Sequence, residues 1–367
     1  MSKSLISLGA NLGNPRQLIE LAGEMILDRF GSSNVAFSRL YRTPAVGGPS
    51  GQDDFYNAVA TIDSNQSVFE IWRGLHDIEQ LLGRRRRDRW EARRIDLDVL
   101  LHDHERHWTP TLKIPHPRML MRTFVLEPAC EIAGDWIEPV TGQRIADLSQ
   151  RLQQARAKEQ LGHHAIHILV LTESTERIRL IAQSLISDHQ ATTFDPAIPE
   201  SLDGGERFIV RMNGSRQITL QSMAPLLRTN SKSQFEDIRF RLNRQIMENE
   251  LSHPLQLLVF AGASPDPEAI HWEDYCRNWA ELFELITLDG RGRLPPSLTL
   301  DRQEPPPPSK SDIVARLNAL RRLPKYLLSA DDPAWAAHEL RAAMTAMTCP
   351  IQSSGAFFDD RKQVDPS

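Results

Sequence analysis

The segment 94–101 constrains the fold more than any other part of the chain, because its residues alternate with the period of a β-strand. Its sequence is RIDLDVLL, and side chains two residues apart in a strand lie on one face. The apolar set is Ile95, Leu97, Val99 and Leu101, against Arg94, Asp96, Asp98 and Leu100. This pattern predicts a strand with one core-facing side and two carboxylates together on the other.

The elements before and after this strand predict the architecture of residues 1–150. Periodicity and turn residues give strands at 3–8, 35–41, 56–63 and 94–101 and helices at 16–30, 67–82 and 119–131. This order favours an α+β, ferredoxin-like domain with a βαββαβ core over a doubly wound sheet.

The length of 367 residues favours two domains. Residues 151–164 are polar and predict a linker, and 351–367 predict a tail. Between them, residues 165–350 alternate strands (166–171, 207–212, 255–260, 326–329) with helices (173–187, 234–250, 312–320, 334–347). This alternation predicts a second α/β domain with a mainly parallel sheet.

Composition excludes several functional classes. The net charge of −5 argues against a nucleic-acid binder. No apolar run approaches the roughly 18 residues of a membrane span, and the amino terminus lacks a secretory signal, so a cytoplasmic location is expected. Three scattered cysteines indicate neither a disulfide framework nor a cysteine-based zinc site.

Positive and negative charges are concentrated next to each other just before and within the predicted strand. Seven of the eleven residues in 84–94 are arginine, and Asp96 and Asp98 follow. Paired carboxylates suit Mg²⁺, and guanidinium groups suit phosphate oxygens. The pattern therefore indicates phosphoryl transfer, although an exposed strand face and a basic loop would explain the same residues without chemistry.

Several separate motifs resemble the 6-hydroxymethyl-7,8-dihydropterin pyrophosphokinase family. The similarity extends from about residue 4 to residue 148, with the motifs in the same order. The motifs are 7–14 (SLGANLGN), 41–44 (YRTP), 55–57 (FYN), 79–83 (EQLLG), 90–98 (WEARRIDLD) and 115–124 (PHPRMLMRTF).

The resemblance implies that a diphosphate passes from ATP to a reduced pterin, with two Mg²⁺ ions and release of AMP. Asp96 and Asp98 match the metal-binding aspartates. The implied ATP-binding residues are Glu79, Arg84, Arg86, Arg93, His116 and Arg122, and the catalytic set is Arg84, Arg86, Arg93, Asp96 and Asp98. The implied pterin-binding residues are Thr43, Pro44, Val46, Phe55, Asn57, Trp90 and Phe124.

The resemblance also implies that the pterin ring stacks between Phe55 and Phe124 and that the Asn57 amide forms hydrogen bonds with the edge of the ring. Trp90 closes over the site from a loop. Two departures from the family pattern occur: Glu91-Ala92 stand where a Gly-Pro is common, and Leu120-Met121 replace a polar pair. Metal, phosphate and pterin positions are nevertheless retained.

Two rival functions remain open: an inactive pterin- and nucleotide-binding scaffold, and an RNA-binding module. The second is disfavoured, because residues 1–150 carry 18 Lys and Arg against 20 Asp and Glu. Residues 324–333 weakly resemble the end of deoxynucleoside-kinase-like domains, but no P-loop motif is present. A degenerate kinase-like second domain could be structural, regulatory or the contact of a homodimer.

Overall fold

A computed structural model describes residues 1–31, 35–48, 51–83, 94–108, 111–163, 165–172, 174–187, 191–195, 207–212, 216–222, 255–262, 324–329 and 332–358. The chain divides into two compact units. The first comprises Met1–His163 together with Ala337–Ser367, and the second comprises His164–Ala336.

The first unit begins with five strands and two helices that form its core. These are β1 (Ser2–Ala10), α1 (Pro15–Phe30), β2 (Val35–Phe37), β3 (Tyr41–Thr43), β4 (Phe55–Ser64), α2 (Val68–Leu81) and β5 (Asp96–His102). Smaller elements follow: β6 (His107–Trp108), β7 (Lys113–Ile114), a 3-10 turn (Met119–Met121), α3 (Thr123–Ala133), β8 (Ile137–Glu138), β9 (Gln143–Arg144) and α4 (Ile145–Gln160).

The second unit contains a six-stranded mixed sheet. Its described elements are β10 (Ile166–Thr172), α5 (Thr175–Ser187), β11 (Ala191–Asp195), β12 (Arg207–Met212), β13 (Arg216–Ser222), β14 (Leu255–Gly262) and β15 (Lys325–Ser329). The order is β11-β12-β13-β10-β14-β15. Pairs β10–β13, β10–β14 and β14–β15 are parallel, and the other two are antiparallel. The helices expected at 234–250 and 312–320 lie outside the described residues.

The last elements in the described part of the chain are helix α6 (Pro333–Met347) and the short strand β16 (Gln352–Ser353). In the part of the chain that the structure describes, no helix combines the length and apolar character needed to cross a bilayer.

The sheet of the first unit is antiparallel throughout. Its strands follow the order β16-β3-β4-β1-β5, and β2 also pairs with β4. The predicted α+β class is confirmed. The strand that carries Asp96 and Asp98 lies at one edge of this order, directly beside β1.

Helices α1 and α2 cover the apolar face of the sheet. Asn14 caps α1 ahead of Pro15, and Ser67 forms a capping box with Glu70 at the start of α2. The core beneath them includes Ile6, Leu8, Ile19, Ile26, Ala60, Ile62, Ile71, Leu75, Ile95, Leu97 and Val99. The predicted alternation of β5 therefore holds as far as Val99. A register shift opposite Leu5 and Ile6 follows, and Leu100 and Leu101 are both buried.

The expected strand 35–41 is two strands, β2 and β3, separated by Ser38–Leu40. The amide of Ser38 donates to Val59 O at 2.9 Å. Leu40 instead pairs with the end of the chain, because its amide donates to Gly355 O at 3.0 Å and its carbonyl accepts from Ser354 N at 2.7 Å. The change of partner accounts for the break in the strand.

The predicted domain boundaries need two corrections. Helix α4 continues through most of the expected linker 151–164, because Leu148, Leu152 and Ala155 are buried on one side of it. Residues 337–350, assigned to the second domain, and the described residues of the expected tail 351–367 belong to the first unit.

Phe357 anchors the end of the chain in the core of the first unit. Its ring is 5% exposed and stacks on Phe37 with centroids 4.1 Å apart. It also packs beside Gly23 of α1, where an added Cβ would lie 2.4 Å from Phe357 Cε1. Gly23 is thus a position where helix α1 contacts the C-terminal segment that contains Phe357.

We expect Gly23→Ala to destabilise the first unit by about 1–3 kcal/mol, since overpacking outweighs a gain in helix propensity of about 1 kcal/mol. The measurement is the opening free energy of β1 amides from native-state hydrogen exchange. In a Phe357→Ala background the same substitution should be neutral or stabilising. Destabilisation of equal size in both backgrounds would contradict the contact.

Candidate active site

A cavity of about 330 Å³ lies against the first unit's sheet, on the face opposite α1 and α2. It is lined by Ser7, Leu8, Gly9, Thr43, Pro44, Val46, Gly47, Gln52, Phe55, Asn57, Ala58, Asp96, Asp98, His116, Arg118, Arg122, Phe124 and Val125. Polar, aromatic and charged side chains thus meet in one space.

The register of three strands brings distant residues into rows across this face. Gly9 pairs with Asn57 on β4 and with Asp96 on β5, and Ser7 pairs with Asp98. An added Cβ on Gly9 would lie 3.3 Å from Asn57 Oδ1, so the glycine leaves room for that amide. The sheet thereby holds an amide and two carboxylates around a strand with small side chains.

One part of the cavity is lined by a hydrogen-bonded amide and two aromatic residues. Asn57 Nδ2 donates to Thr43 Oγ1 at 2.9 Å, and both residues are buried. This bond orients the amide so that its oxygen lies toward Gly9. Phe55, two residues before Asn57 on β4, and Phe124 at the start of α3 also line the cavity. Aromatic faces with an oriented amide suit a flat polar heterocycle.

The other side of the cavity is charged. Asp96 and Asp98 lie two residues apart on β5, and His116 Nε2 is 3.8 Å from Asp98 Oδ2. The guanidinium of Arg122 lies 5.6 Å from the centroid of the Phe124 ring. Arg122 therefore lies where the charged side of the cavity meets the aromatic side.

Backbone bonds on both sides fix the position of His116. Its amide donates to Leu100 O at 2.8 Å, and its ring Nδ1 accepts from the Arg118 amide at 3.3 Å. Since Nδ1 is an acceptor, the neutral ring carries its proton on Nε2, the nitrogen that faces Asp98. His116 is thus aimed into the cavity as an N–H donor.

The surroundings of His116 keep its ring uncharged. Burial is the largest cause that holds the pKa of His116 well below its usual range, and the nearby charges of Arg122 and Arg118 lower it further. Asp96 opposes them to a smaller extent. At physiological pH the residue is therefore a neutral hydrogen-bond donor.

Glu79 is not among the residues that line the cavity, and its place beside the nucleotide stays a prediction. Its side chain is 2% exposed, and its Oε1 accepts from the Leu97 amide at 2.7 Å. Leu97 stands between Asp96 and Asp98 on β5. A buried carboxylate bound to the backbone there supports the strand that presents both aspartates.

Most of the predicted site residues come together in the cavity. Those that line it are Thr43, Pro44, Val46, Phe55, Asn57, Asp96, Asp98, His116, Arg122 and Phe124. Arg84, Arg86, Trp90 and Arg93, with the departure at Glu91-Ala92, lie outside the described residues. The other departure, Leu120-Met121, is buried in the 3-10 turn, so apolar packing explains the loss of polarity there.

Arg118, Ser7 and Gly9 also line the cavity, although the sequence analysis assigned them no role. Arg118 lies two residues after His116 in the motif 115–124, and this position in the motif could have identified it. Ser7 and Gly9 belong to the motif 7–14, whose spacing places them on one face of β1. Gly9 leaves space for the Asn57 amide.

An antiparallel α+β unit with paired carboxylates, arginine and aromatic rings around one cavity suits the class of proteins that bind a phosphorylated or flat polar ligand. Comparison with known proteins makes this specific. Residues 5–134 match the model of the 7,8-dihydro-6-hydroxymethylpterin-pyrophosphokinase (HPPK) family.

Two curated relatives carry the name 2-amino-4-hydroxy-6-hydroxymethyldihydropteridine pyrophosphokinase. The one from Synechocystis sp. is 34% identical over 149 residues, 41% of this chain and 75% of its own. The one from Haemophilus influenzae is 37% identical over 139 residues, 38% of this chain and 86% of its own. The chain belongs to the HPPK family, and the resemblance drawn from its motifs is confirmed.

Solved structures give a weaker comparison. The crystal structure of wild-type Plasmodium falciparum HPPK-DHPS covers 89% of this chain and 78% of its own, at 13% identity and a TM-score of 0.34. A TM-score this low supports no inference about the second unit.

Proposed function

We propose that the first unit transfers a diphosphate from ATP to the hydroxymethyl group of 6-hydroxymethyl-7,8-dihydropterin, giving AMP and the pterin diphosphate. The main support for this function is the pairing of β1 with β4 and β5. This pairing puts Asn57 and Asp96 on opposite sides of Gly9, and all three residues line one cavity. A heterocycle that is hydrogen-bonded to the Asn57 amide then lies next to phosphates held at the Asp96 and Asp98 carboxylates. The strand order β3-β4-β1-β5 supports the ferredoxin-like arrangement that the sequence predicts.

The pterin lies between Phe55 and Phe124, with its edge toward Asn57. Thr43 holds the amide, and Pro44 and Val46 complete the wall. Such a ring needs stacking faces and a few fixed hydrogen-bonding partners, and this side of the cavity supplies both.

The phosphates lie along Arg122 and His116 on the charged side. Arg122 neutralises phosphate charge, and the Nε2–H of neutral His116 donates to an oxygen without adding charge. The hydroxymethyl oxygen forms a bond to the β-phosphorus, and the bond from that phosphorus to the oxygen it shares with the α-phosphate breaks. AMP leaves with that oxygen, and the hydroxyl proton passes to solvent.

The carboxylates of Asp96 and Asp98 fit Mg²⁺, because both are hard oxygen donors on one strand face and both line the cavity. Within the described residues no cluster of three or more His, Cys, Asp or Glu is placed to hold a metal. Asp96 and Asp98 are the residues that would hold the ion. Bound there, Mg²⁺ supplies positive charge against the developing charge on the phosphates.

The predicted contributions of Arg84, Arg86, Arg93 and Trp90 stay predictions, as do a homodimer through the second unit and a kinase-like origin for it. An inactive scaffold is the remaining alternative to an enzyme. It is disfavoured because the residues that line the cavity include both carboxylates, Arg122 and His116 together.

The position of the transferred phosphate tests this function. We expect the full chain, given Mg²⁺, the reduced pterin and ATP labelled at the β-phosphate, to put the label on the pterin and to release unlabelled AMP. Transfer of the γ-phosphate alone would leave the label on ADP. Label on ADP, or no pterin-dependent transfer, would overturn the proposal.

We expect Asn57→Ala to raise the KM for the pterin about tenfold or more, since a buried amide that binds the ring edge is lost. The KM for ATP should stay within about twofold of wild type. Steady-state kinetics with each substrate varied in turn measures both. Asn14→Ala is the matched control, because it removes an amide that caps α1 and does not line the cavity. Equal pterin KM values in both variants would contradict the assignment of Asn57.

A further inference from the structure

The C-terminal segment of the first unit, which begins at Ala337, returns to contact that unit around the cavity. Glu339 on α6 reaches Arg118, and residues 349–353 reach β3 and Pro44. The family match ends at residue 134. These contacts therefore bring residues from outside the matched region to the walls of the site.

We propose that Glu339 is a positioning residue that holds the Arg118 guanidinium in place at the phosphate side of the cavity. This inference rests on the proposed function. It gives the returning segment a role in substrate binding rather than in stability alone.

The contact between the two residues is short and well buried on one side. Arg118 Nη2 lies 2.5 Å from Glu339 Oε1, and the Glu339 side chain is 3% exposed against 31% for Arg118. A buried carboxylate fixes the direction of the arginine that pairs with it. A guanidinium carries five N–H donors, so it can bond to Glu339 and to a phosphate at the same time.

Arg118 is also joined to the residues already placed in the site. It lines the cavity, and its backbone amide donates to His116 Nδ1 at 3.3 Å. The position of Arg118 therefore affects the electrostatic potential along the phosphate side of the cavity.

Separate contacts fix α6 beside the cavity. Thr123 Oγ1 donates to Cys349 O at 2.9 Å and lies 3.3 Å from Ala346 O, at the carboxyl end of the helix. Cys349 Sγ lies 4.0 Å from Pro44 O, and β16 pairs with β3. Since Thr123 precedes Phe124 and Pro44 lines the cavity, the helix that carries Glu339 is held by neighbours of the site.

The test is Glu339→Gln in the full chain, which keeps the shape of the side chain and removes its charge. We expect the KM for ATP to rise about tenfold while the pterin KM stays within about twofold. The matched control is Glu138→Gln, because Glu138 is a buried glutamate that bonds to Val140 and Thr141 and does not line the cavity. An unchanged ATP KM in Glu339→Gln, or an equal rise in Glu138→Gln, would overturn the proposal.

A double-mutant cycle separates positioning from folding. If Glu339 acts through Arg118, Arg118→Gln and Arg118→Gln/Glu339→Gln should share one ATP KM, even where Glu339→Gln alone fails to fold. A further rise in the double variant would overturn the proposal. Wild-type chain without pterin-dependent AMP release would refute the proposed function instead, and Mg²⁺-ATP binding by equilibrium dialysis would then test the position of Arg118 by itself.

Discussion

Replacing Asp98 by alanine is expected to lower kcat by about 10³-fold or more, and Asp96→Ala should do the same. Both carboxylates line the cavity on the face of β5 opposite the core. Their loss removes the ligands that hold positive charge at the phosphates, and the transition state depends chiefly on that charge. Asp98→Asn should lose nearly as much, because it keeps the shape and removes the charge.

The matched control is Asp63→Ala. Asp63 belongs to the same sheet but pairs with Lys3 at the far end of β4, away from the cavity. Its kcat should stay within about twofold of wild type. Steady-state AMP formation across a range of Mg²⁺ concentrations measures all four variants. Asp98→Ala with nearly full kcat and an unchanged Mg²⁺ requirement would contradict the assignment.

Phe357→Ala is expected to destabilise the first unit by about 3–5 kcal/mol. The ring is 5% exposed and stacks on Phe37, so truncation removes a buried aromatic and leaves a cavity beside Gly23. Hydrogen exchange of β1 and β4 amides in the native state reports the opening free energy of this unit separately from the second.

Phe69→Ala serves as the control for Phe357→Ala. Phe69 lies on α2 with 41% of its surface exposed, so its loss should cost less than about 1 kcal/mol. Similar losses in the two variants would mean that the end of the chain does not pack on the core. The corrected boundary of the first unit would then fail.

The sequence predicted the parts of the site that local patterns encode. Alternation placed Asp96 and Asp98 on one face of β5, and turn residues and periodicity located α1 and α2. Motif resemblance then supplied Asn57, Phe55 and Phe124, all of which line the cavity. These signals work because each depends on neighbours a few residues apart or on a recognisable motif.

Contacts between distant parts of the chain could not be predicted in the same way. Glu339 and Arg118 are 221 positions apart, and the two-residue strand β16 is too short to show a period. Helix α6 has an apolar pattern that would suit either unit, so its assignment to the second domain followed sequence order alone. The contact of Glu79 with the Leu97 amide was also missed: both its helix and the strand were predicted, but the pattern of each gives no packing between them.

A crystal structure of the full chain with Mg²⁺, a non-hydrolysable ATP analogue and 6-hydroxymethylpterin would locate both substrates. We expect the pterin between Phe55 and Phe124 with its edge at Asn57, and the phosphates at Arg122 and His116. We also expect Mg²⁺ on the carboxylates of Asp96 and Asp98. Ligands bound away from this cavity, or phosphates bound without metal at the two aspartates, would contradict these assignments.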